Sequence, residues 1–184
     1  MRVIGGNTRG RRLKAPKGQI TRPTAARVKE SLFNILPHDL SGARVLDLFA
    51  GTGNLTIEAL SRGAAAATLV DSSFEAGKTI RENLRRLHLA DRTRVWIMPA
   101  ARALRLLARH GDSFDVIFLD PPYDRQWIDR TLQIIAQERL LRESGTVIAE
   151  HSIREDVEPS YDSLALHDQR RYGSTLISFF KHAG

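Results

Sequence analysis

The sequence predicts an α/β domain built on a mainly parallel sheet, because three patterns in its 184 residues agree. Short, continuous apolar runs alternate with longer segments whose apolar residues recur at helical spacing. Continuous apolar strands are typical of a parallel sheet that helices cover on both faces. The last two strands differ, since residues 163–171 and 174–181 flank Tyr172-Gly173 and indicate an antiparallel hairpin.

The elements follow in order along the chain. A first helix is predicted over residues 25–36, because Val28, Leu32 and Leu36 recur at helical spacing before Pro37. The parallel strands are predicted at residues 44–49, 67–70, 94–98, 114–119 and 145–149. The helices between them are residues 55–62, a segment with Phe74, Ile80, Leu84 and Leu87 on one face, a helix ending at His110-Gly111, and a helix containing Trp127 and Leu140.

Positive charge is concentrated at the N-terminus. The net charge is +7, but residues 1–30 hold nine Lys or Arg and one acid, which leaves the other 154 residues at −1. Such a segment is expected where a protein contacts phosphates, although a basic tail that serves only solubility is the alternative. We predict a basic N-terminal arm or hairpin over residues 1–23, with a domain over 24–184. The candidate phosphate contacts are Arg9, Arg11, Arg12, Lys14, Arg22 and Arg27.

The arm contains few apolar residues, so we expect it to be mobile until it meets phosphates and not to be needed for binding elsewhere in the domain. The composition excludes several other classes of protein. The chain has no cysteine and its six histidines show no ligand spacing, so we predict no disulfide and no metal site. No apolar run suits a membrane span and no secretory signal is recognisable, so we expect a cytoplasmic protein.

A glycine-rich loop follows the first predicted strand, with the sequence Asp47-Leu48-Phe49-Ala50-Gly51-Thr52-Gly53-Asn54. Glycines at this place let the backbone approach a ligand at the carboxyl edge of the sheet. The third glycine of a dinucleotide-binding loop is replaced by Thr56, which argues against a nicotinamide oxidoreductase. Asp47 is unfavourable beside a pyrophosphate but suits the ammonium of an amino acid.

A second acid, Asp71, ends the second predicted strand, where a carboxylate can accept hydrogen bonds from both hydroxyls of a ribose. A ligand with a ribose and a cationic amino-acid end but no phosphate is S-adenosylmethionine. The pattern therefore predicts this cofactor. The candidate cofactor-binding residues are Asp47, Phe49, Ala50, Gly51, Thr52, Gly53, Asp71 and Ser72.

The fourth predicted strand ends in Asp120-Pro121-Pro122-Tyr123, which we predict to be the catalytic residues. An exocyclic base amine is a poor nucleophile because its lone pair is conjugated with the ring. Hydrogen bonds from its two hydrogens to the Asp120 carboxylate and the Pro121 carbonyl favour a pyramidal nitrogen. Tyr123 is placed to stack on the base. A rigid turn that closes the strand is the alternative interpretation of this tetrapeptide.

These motifs carry a family resemblance. The two loops are similar to those of class I amino-methyltransferases, while the N-terminal Val-Ile-Gly-Gly, the stretch from Arg22-Pro23-Thr24 to Asn34 and Tyr172-Gly173-x-Thr175 resemble the RsmD family. The resemblance implies a Rossmann-like, seven-stranded sheet of order 3-2-1-4-5-7-6. It also implies methylation of guanine N2 in small-subunit ribosomal RNA. We expect this RNA to lie within an assembled or assembling subunit and the protein to be a monomer. Met98-Pro99-Ala100-Ala101 departs from the Asn or Asp often found near the adenine, so no side chain is assigned there.

Two other functions remain open at this stage. A DNA adenine-N6 or cytosine-N4 methyltransferase would use the same loops, although the chain leaves no room for a separate target-recognition domain. A non-catalytic RNA-binding assembly factor would retain the fold, and the intact Asp120–Tyr123 motif argues against it.

Overall fold

A computed structural model describes residues 1–15, 23–122 and 127–184, with the side chains of residues 23–27 excepted. The helices are α1 (Pro23–Ile35), α2 (Asn54–Ser61), α3 (Phe74–Arg86), α4 (Ala100–Arg109) and α5 (Trp127–Gln137). The strands are β1 (Arg44–Leu48), β2 (Ala66–Asp71), β3 (Thr93–Ile97), β4 (Phe114–Leu119), β5 (Leu141–Ser152), β6 (Ser160–Tyr161), β7 (Leu164–Tyr172) and β8 (Thr175–His182).

The strands form one sheet in the order β3-β2-β1-β4-β5-β8-β7-β6. The first five are parallel, and β8 runs antiparallel to β5 and β7. This confirms the predicted α/β class and the predicted order of the seven expected strands. The sheet has eight strands rather than seven, because Ser160 and Tyr161 pair with Ala165 and Leu164 as a short edge strand.

Helices cover both faces of the sheet. Successive strand residues point to opposite faces, so the parallel strands contribute to both core clusters. Val45 belongs to the core cluster under α1, α2 and α3, whereas Leu46 and Leu48 belong to the cluster under α4 and α5. In α3, Ile80 and Leu84 are buried as predicted, but Phe74 is 64% exposed beneath the Lys78 ammonium. Its place at the first position of the helix puts it beyond the rim of the core.

Residues 1–15 form an antiparallel hairpin, in which Arg2 pairs with Arg12. The expectation of a mobile arm is wrong for this segment, because Val3 and Leu13 are buried in the core cluster under α1–α3. Gly6 has a positive φ, and a Cβ there would lie 1.8 Å from the Ser61 carbonyl oxygen, so this approach to α2 requires glycine. The hairpin is therefore anchored to the domain.

Candidate active site

The glycine loop joins β1 to α2 at the carboxyl edge of the sheet. Gly51 and Gly53 have positive φ, and Gly53 begins α2 without a capping side chain. Phe49 also has a positive φ of 66°, a backbone conformation that costs free energy in an aromatic residue. Residues with such conformations are concentrated at functional sites. Its ring packs 6.1 Å from that of Trp127, and this contact with α5 holds the strained residue in place.

Asp47 is almost completely buried at the end of β1. Its Oδ2 accepts hydrogen bonds from the Thr56 hydroxyl at 2.6 Å and from the Thr56 amide at 3.3 Å. Burial raises the pKa of Asp47 to about 7, although the bonds from Thr56 oppose this and Asp71 adds a small repulsion. The sequence did not predict the role of Thr56, which orients the carboxylate.

Asp71 ends β2 beside the glycine loop. Its Oδ2 accepts a hydrogen bond from the Gly51 amide at 2.8 Å and its Oδ1 accepts one from Ser73, also at 2.8 Å. Each carboxylate oxygen has two lone pairs, so one on each oxygen is available for a hydroxyl donor. The structure thus joins Asp71 to the glycine loop, with Ser72 exposed next to it.

A cavity of about 300 Å³ lies between α1, the glycine loop and the ends of β4 and β5. Predicted residues that line it are Asp47, Phe49, Ala50, Gly51, Thr52 and Asp120. Glu150, near the end of β5, also lines it and was not predicted from the sequence. The sequence did contain an indication of it, because Glu150 is a lone acid that directly follows the apolar run of residues 147–149. Asp71 and Asp120 follow apolar runs in the same way.

Asp120 faces this cavity as an exposed residue, but the cavity walls partly desolvate its carboxyl group. This desolvation, together with repulsion from Glu150 and Asp47, raises the pKa of Asp120 well above its usual value. Three carboxyl groups therefore surround one small cavity. A cation bound there would favour their ionised forms.

A buried ion network connects the cavity to the hairpin. The Glu58 carboxylate is inaccessible to solvent and accepts bonds from the Ile4 and Gly5 amides, and it pairs with Lys29 at 3.2 Å and Arg62 at 3.1 Å. Lys29 also lines the cavity. Its pKa is lowered by burial, which the neighbouring Glu58 opposes.

A second buried side chain, Asn83 of α3, connects the hairpin to the glycine loop. The Asn83 amide donates to the carbonyl oxygens of Thr52 and Lys14, each at 3.0 Å. Met1 itself lines the cavity. The hairpin is therefore linked through Asn83 to the glycine loop and contributes Met1 to the cavity wall, while the expectation that binding elsewhere in the domain does not need it stays a prediction.

The remaining predicted residues differ in position and exposure, and some lie outside the described residues. Gly53 turns the loop, Pro121 is buried after Asp120, and Pro122 is exposed. The side chains of Arg9, Arg11, Arg12 and Lys14 are exposed on the hairpin, where Lys14 pairs with Glu82. Tyr123, Arg22 and the side chain of Arg27 lie outside the described residues.

Two further findings concern the described part of the chain. It contains no group of three or more His, Asp or Glu side chains that would hold a metal ion. None of its helices has the length and apolar character needed to cross a membrane.

Known proteins are similar to this chain over nearly its whole length. The sequence model of the family described as "Conserved hypothetical protein 95" matches residues 1–181. The "Putative rRNA methyltransferase YlbH" of Bacillus subtilis (strain 168) is 41% identical over 184 residues, which is all of both chains. The "Ribosomal RNA small subunit methyltransferase D" of Escherichia coli (strain K12) is 31% identical over 98% of this chain and 89% of its own.

Solved structures share the fold. The "Putative methyltransferase yhhF from Escherichia coli" superposes with a TM-score of 0.85, at 29% identity, over 99% of this chain and 97% of its own. A second structure, of SMU.776 described as a putative methyltransferase complexed with SAH, superposes with a TM-score of 0.69 over 88% of this chain and 50% of its own. At 18% identity it supports the fold alone.

Proposed function

The chain belongs to the RsmD family, and from that premise we propose that it transfers a methyl group from S-adenosylmethionine to the exocyclic N2 amine of a guanine in small-subunit ribosomal RNA. Methylation of ribosomal RNA is the activity that the relatives' names give. The observation that carries the finer proposal is the cavity in which Asp47, Asp120 and Glu150 meet at the carboxyl edge of the sheet.

The residues present fit the cofactor. S-adenosylmethionine supplies an electrophilic methyl group on a sulfonium and carries a second cation, its ammonium. Asp47 provides the negative charge that the ammonium requires, and Asp71 has lone pairs left for the ribose hydroxyls. The open backbone at Gly51 leaves space for close approach, since only the Phe49 carbonyl oxygen lies within 4.0 Å of a Cβ position there.

The catalytic loop acts on the amine of the base. The Asp120 carboxylate and the Pro121 carbonyl accept hydrogen bonds from the two amine hydrogens, which favours a pyramidal nitrogen and frees its lone pair. The ionised form of Asp120 accepts its hydrogen bond more strongly than the protonated form, whose hydroxyl is a donor. With S-adenosylmethionine bound, holding the nitrogen toward its methyl group would supply much of the rate.

The arrangement of acids also favours guanine over adenine and cytosine. Guanine presents donors at both N1 and N2, and the carboxyl groups of Asp120 and Glu150 supply acceptor oxygens to the cavity lining. Adenine and cytosine place a ring acceptor beside their amine, which would face a second carboxylate without a proton between them. An unpaired acceptor buried in a site weakens binding strongly.

Methyl transfer from radiolabelled S-adenosylmethionine into naked small-subunit RNA, assembled small subunits and DNA tests the proposal. We expect incorporation into RNA or subunits as N2-methylguanine, and its loss in Asp120→Ala with cofactor affinity nearly unchanged. Asp168→Ala, which removes a partly exposed carboxylate paired with Arg170, serves as the control. Incorporation into DNA alone, or full turnover by Asp120→Ala at saturating RNA, would contradict the proposal.

A further inference from the structure

Helix α4 carries an exposed row of arginines on the face of the sheet opposite the hairpin. Arg102, Arg105 and Arg109 follow at spacings of three and four residues, so they share one side of the helix, and all three are exposed. The buried side of the helix consists of Ala103, Leu104 and Leu107. By the helical rise, the row extends about 10 Å along the helix axis.

The charge of this row is not compensated locally. Helix α4 contains no acidic residue, and its three arginines form no ion pair with any residue that the structure describes. Like charges three or four residues apart destabilise a helix, and Arg102 lies in the first turn, at the positive end of the helix dipole. Helix α3 shows the ordinary alternative, since Glu75 pairs with Lys78 and Glu82 pairs with Lys14.

The row continues beyond the end of α4. His110 packs edge-on against Trp96, and the Arg94 guanidinium lies 5.7 Å from the centre of the Trp96 ring. Arg94 and Arg44 share the carboxylate of Asp112, at 3.0 and 2.5 Å. A groove of about 290 Å³ opens beside them and is also lined by Arg92 and Asp91. We call the six arginines together the α4 band: Arg102, Arg105, Arg109, Arg94, Arg92 and Arg44.

The band begins next to the catalytic edge, because α4 starts directly after the carboxyl end of β3 and runs back along the sheet. We propose that the α4 band is a second RNA-backbone binding surface, which holds ribosomal RNA on the face opposite the hairpin while the target base enters the cavity. The inference rests on the proposed function for the identity of the RNA. Arginine suits phosphate because its planar guanidinium donates two parallel hydrogen bonds.

The double variant Arg105→Gln/Arg109→Gln tests this surface. If each arginine neutralises one phosphate, the log–log salt slope of RNA affinity falls by about 1.4 to 1.8, and affinity at 0.1 M salt falls roughly 40-fold by counterion release. Binding to transcribed, protein-free small-subunit RNA is measured by fluorescence anisotropy across a salt series. Cofactor affinity and thermal unfolding are measured beside it and should not change.

The matched control is Arg139→Asn/Lys181→Asn, which removes two exposed charges that are not part of the α4 band, with asparagine chosen because Arg139 has a positive φ. An affinity and salt slope like the control's would overturn the proposal. Weakened binding to assembled subunits with unchanged binding to protein-free RNA would also overturn it, since the partner would then be a ribosomal protein. The comparison of the two double variants tests RNA binding by this surface even if no methyl transfer to RNA is found. Absence of methyl transfer would refute the proposed function but not the binding surface.

Discussion

Replacement of Asp47 by asparagine should remove a specific pH dependence of cofactor binding. The pKa of Asp47 is about 7, and only its ionised form attracts the ammonium of S-adenosylmethionine. About a tenth of the carboxyl groups are ionised at pH 6 and about three quarters at pH 7.5, so affinity should rise about eightfold over that interval. Below pH 7.5 the ligand's own α-amino group, with an ordinary pKa near 8, remains mostly protonated.

Isothermal titration calorimetry across this range measures the effect. Asp47→Asn should bind the cofactor more weakly, with little dependence on pH. Thr56→Val is the matched variant, because it retains the shape of the buried side chain but removes the hydroxyl that stabilises the ionised carboxylate at 2.6 Å. Its binding midpoint should move to higher pH. Equal pH dependence in wild type and Asp47→Asn would refute the reasoning and assign the proton to another group.

Three further results are expected. Stability should fall as pH rises from about 4 to about 7, because the folded-state pKa of Asp47 is raised and an unfolded chain loses that proton first; denaturation of Asp47→Asn should show a smaller fall, and an equal fall would exclude Asp47 as its source. Asp71→Ala should weaken cofactor binding at least tenfold, since two hydrogen bonds to a charged acceptor are at stake; wild-type affinity in calorimetry would remove Asp71 from the site. Glu58→Gln should destabilise the protein by about 3–5 kcal/mol in urea unfolding, because Lys29 and Arg62 lose a buried partner, whereas exposed Glu75→Gln should change little. A Glu58→Gln variant as stable as Glu75→Gln would show that the network contributes little.

Much of the fold follows from local patterns in the sequence. The continuous apolar strands and helical spacing locate the parallel sheet, and carboxyl ends of parallel strands meet at one edge. For this reason Asp47, Asp71 and Asp120, which lie far apart in sequence, could be placed together. The added strand β6 could not be predicted, because two residues carry no periodicity.

The buried charges are harder to predict. Lys29 and Glu58 lie on helices, where charged residues are usually exposed. Each is at most 4% exposed, because its partners come from the hairpin and the neighbouring helix. A lone acid between Ile57 and Ala59 was the available signal. The hairpin itself is anchored by only two buried apolar side chains, too few to indicate packing from composition.

The exposed arginines of α4 were not predicted, because the charges were summed over a long segment. Residues 31–184 sum to −1, so the sequence placed all excess positive charge in the N-terminal segment. In three dimensions the acids of that region are distributed elsewhere, and α4 presents arginines alone. Net charge over a long segment says little about the charge of one face.

Mass spectrometry of nucleosides from small-subunit ribosomal RNA tests the central claim most directly. Cells that lack this protein are compared with cells that regain it as wild type or as Asp120→Ala. We predict that N2-methylguanosine falls by the equivalent of a single site in the lacking cells, returns with the wild type and does not return with Asp120→Ala. An unchanged N2-methylguanosine content, or its restoration by Asp120→Ala, would contradict methyl transfer to guanine by this site.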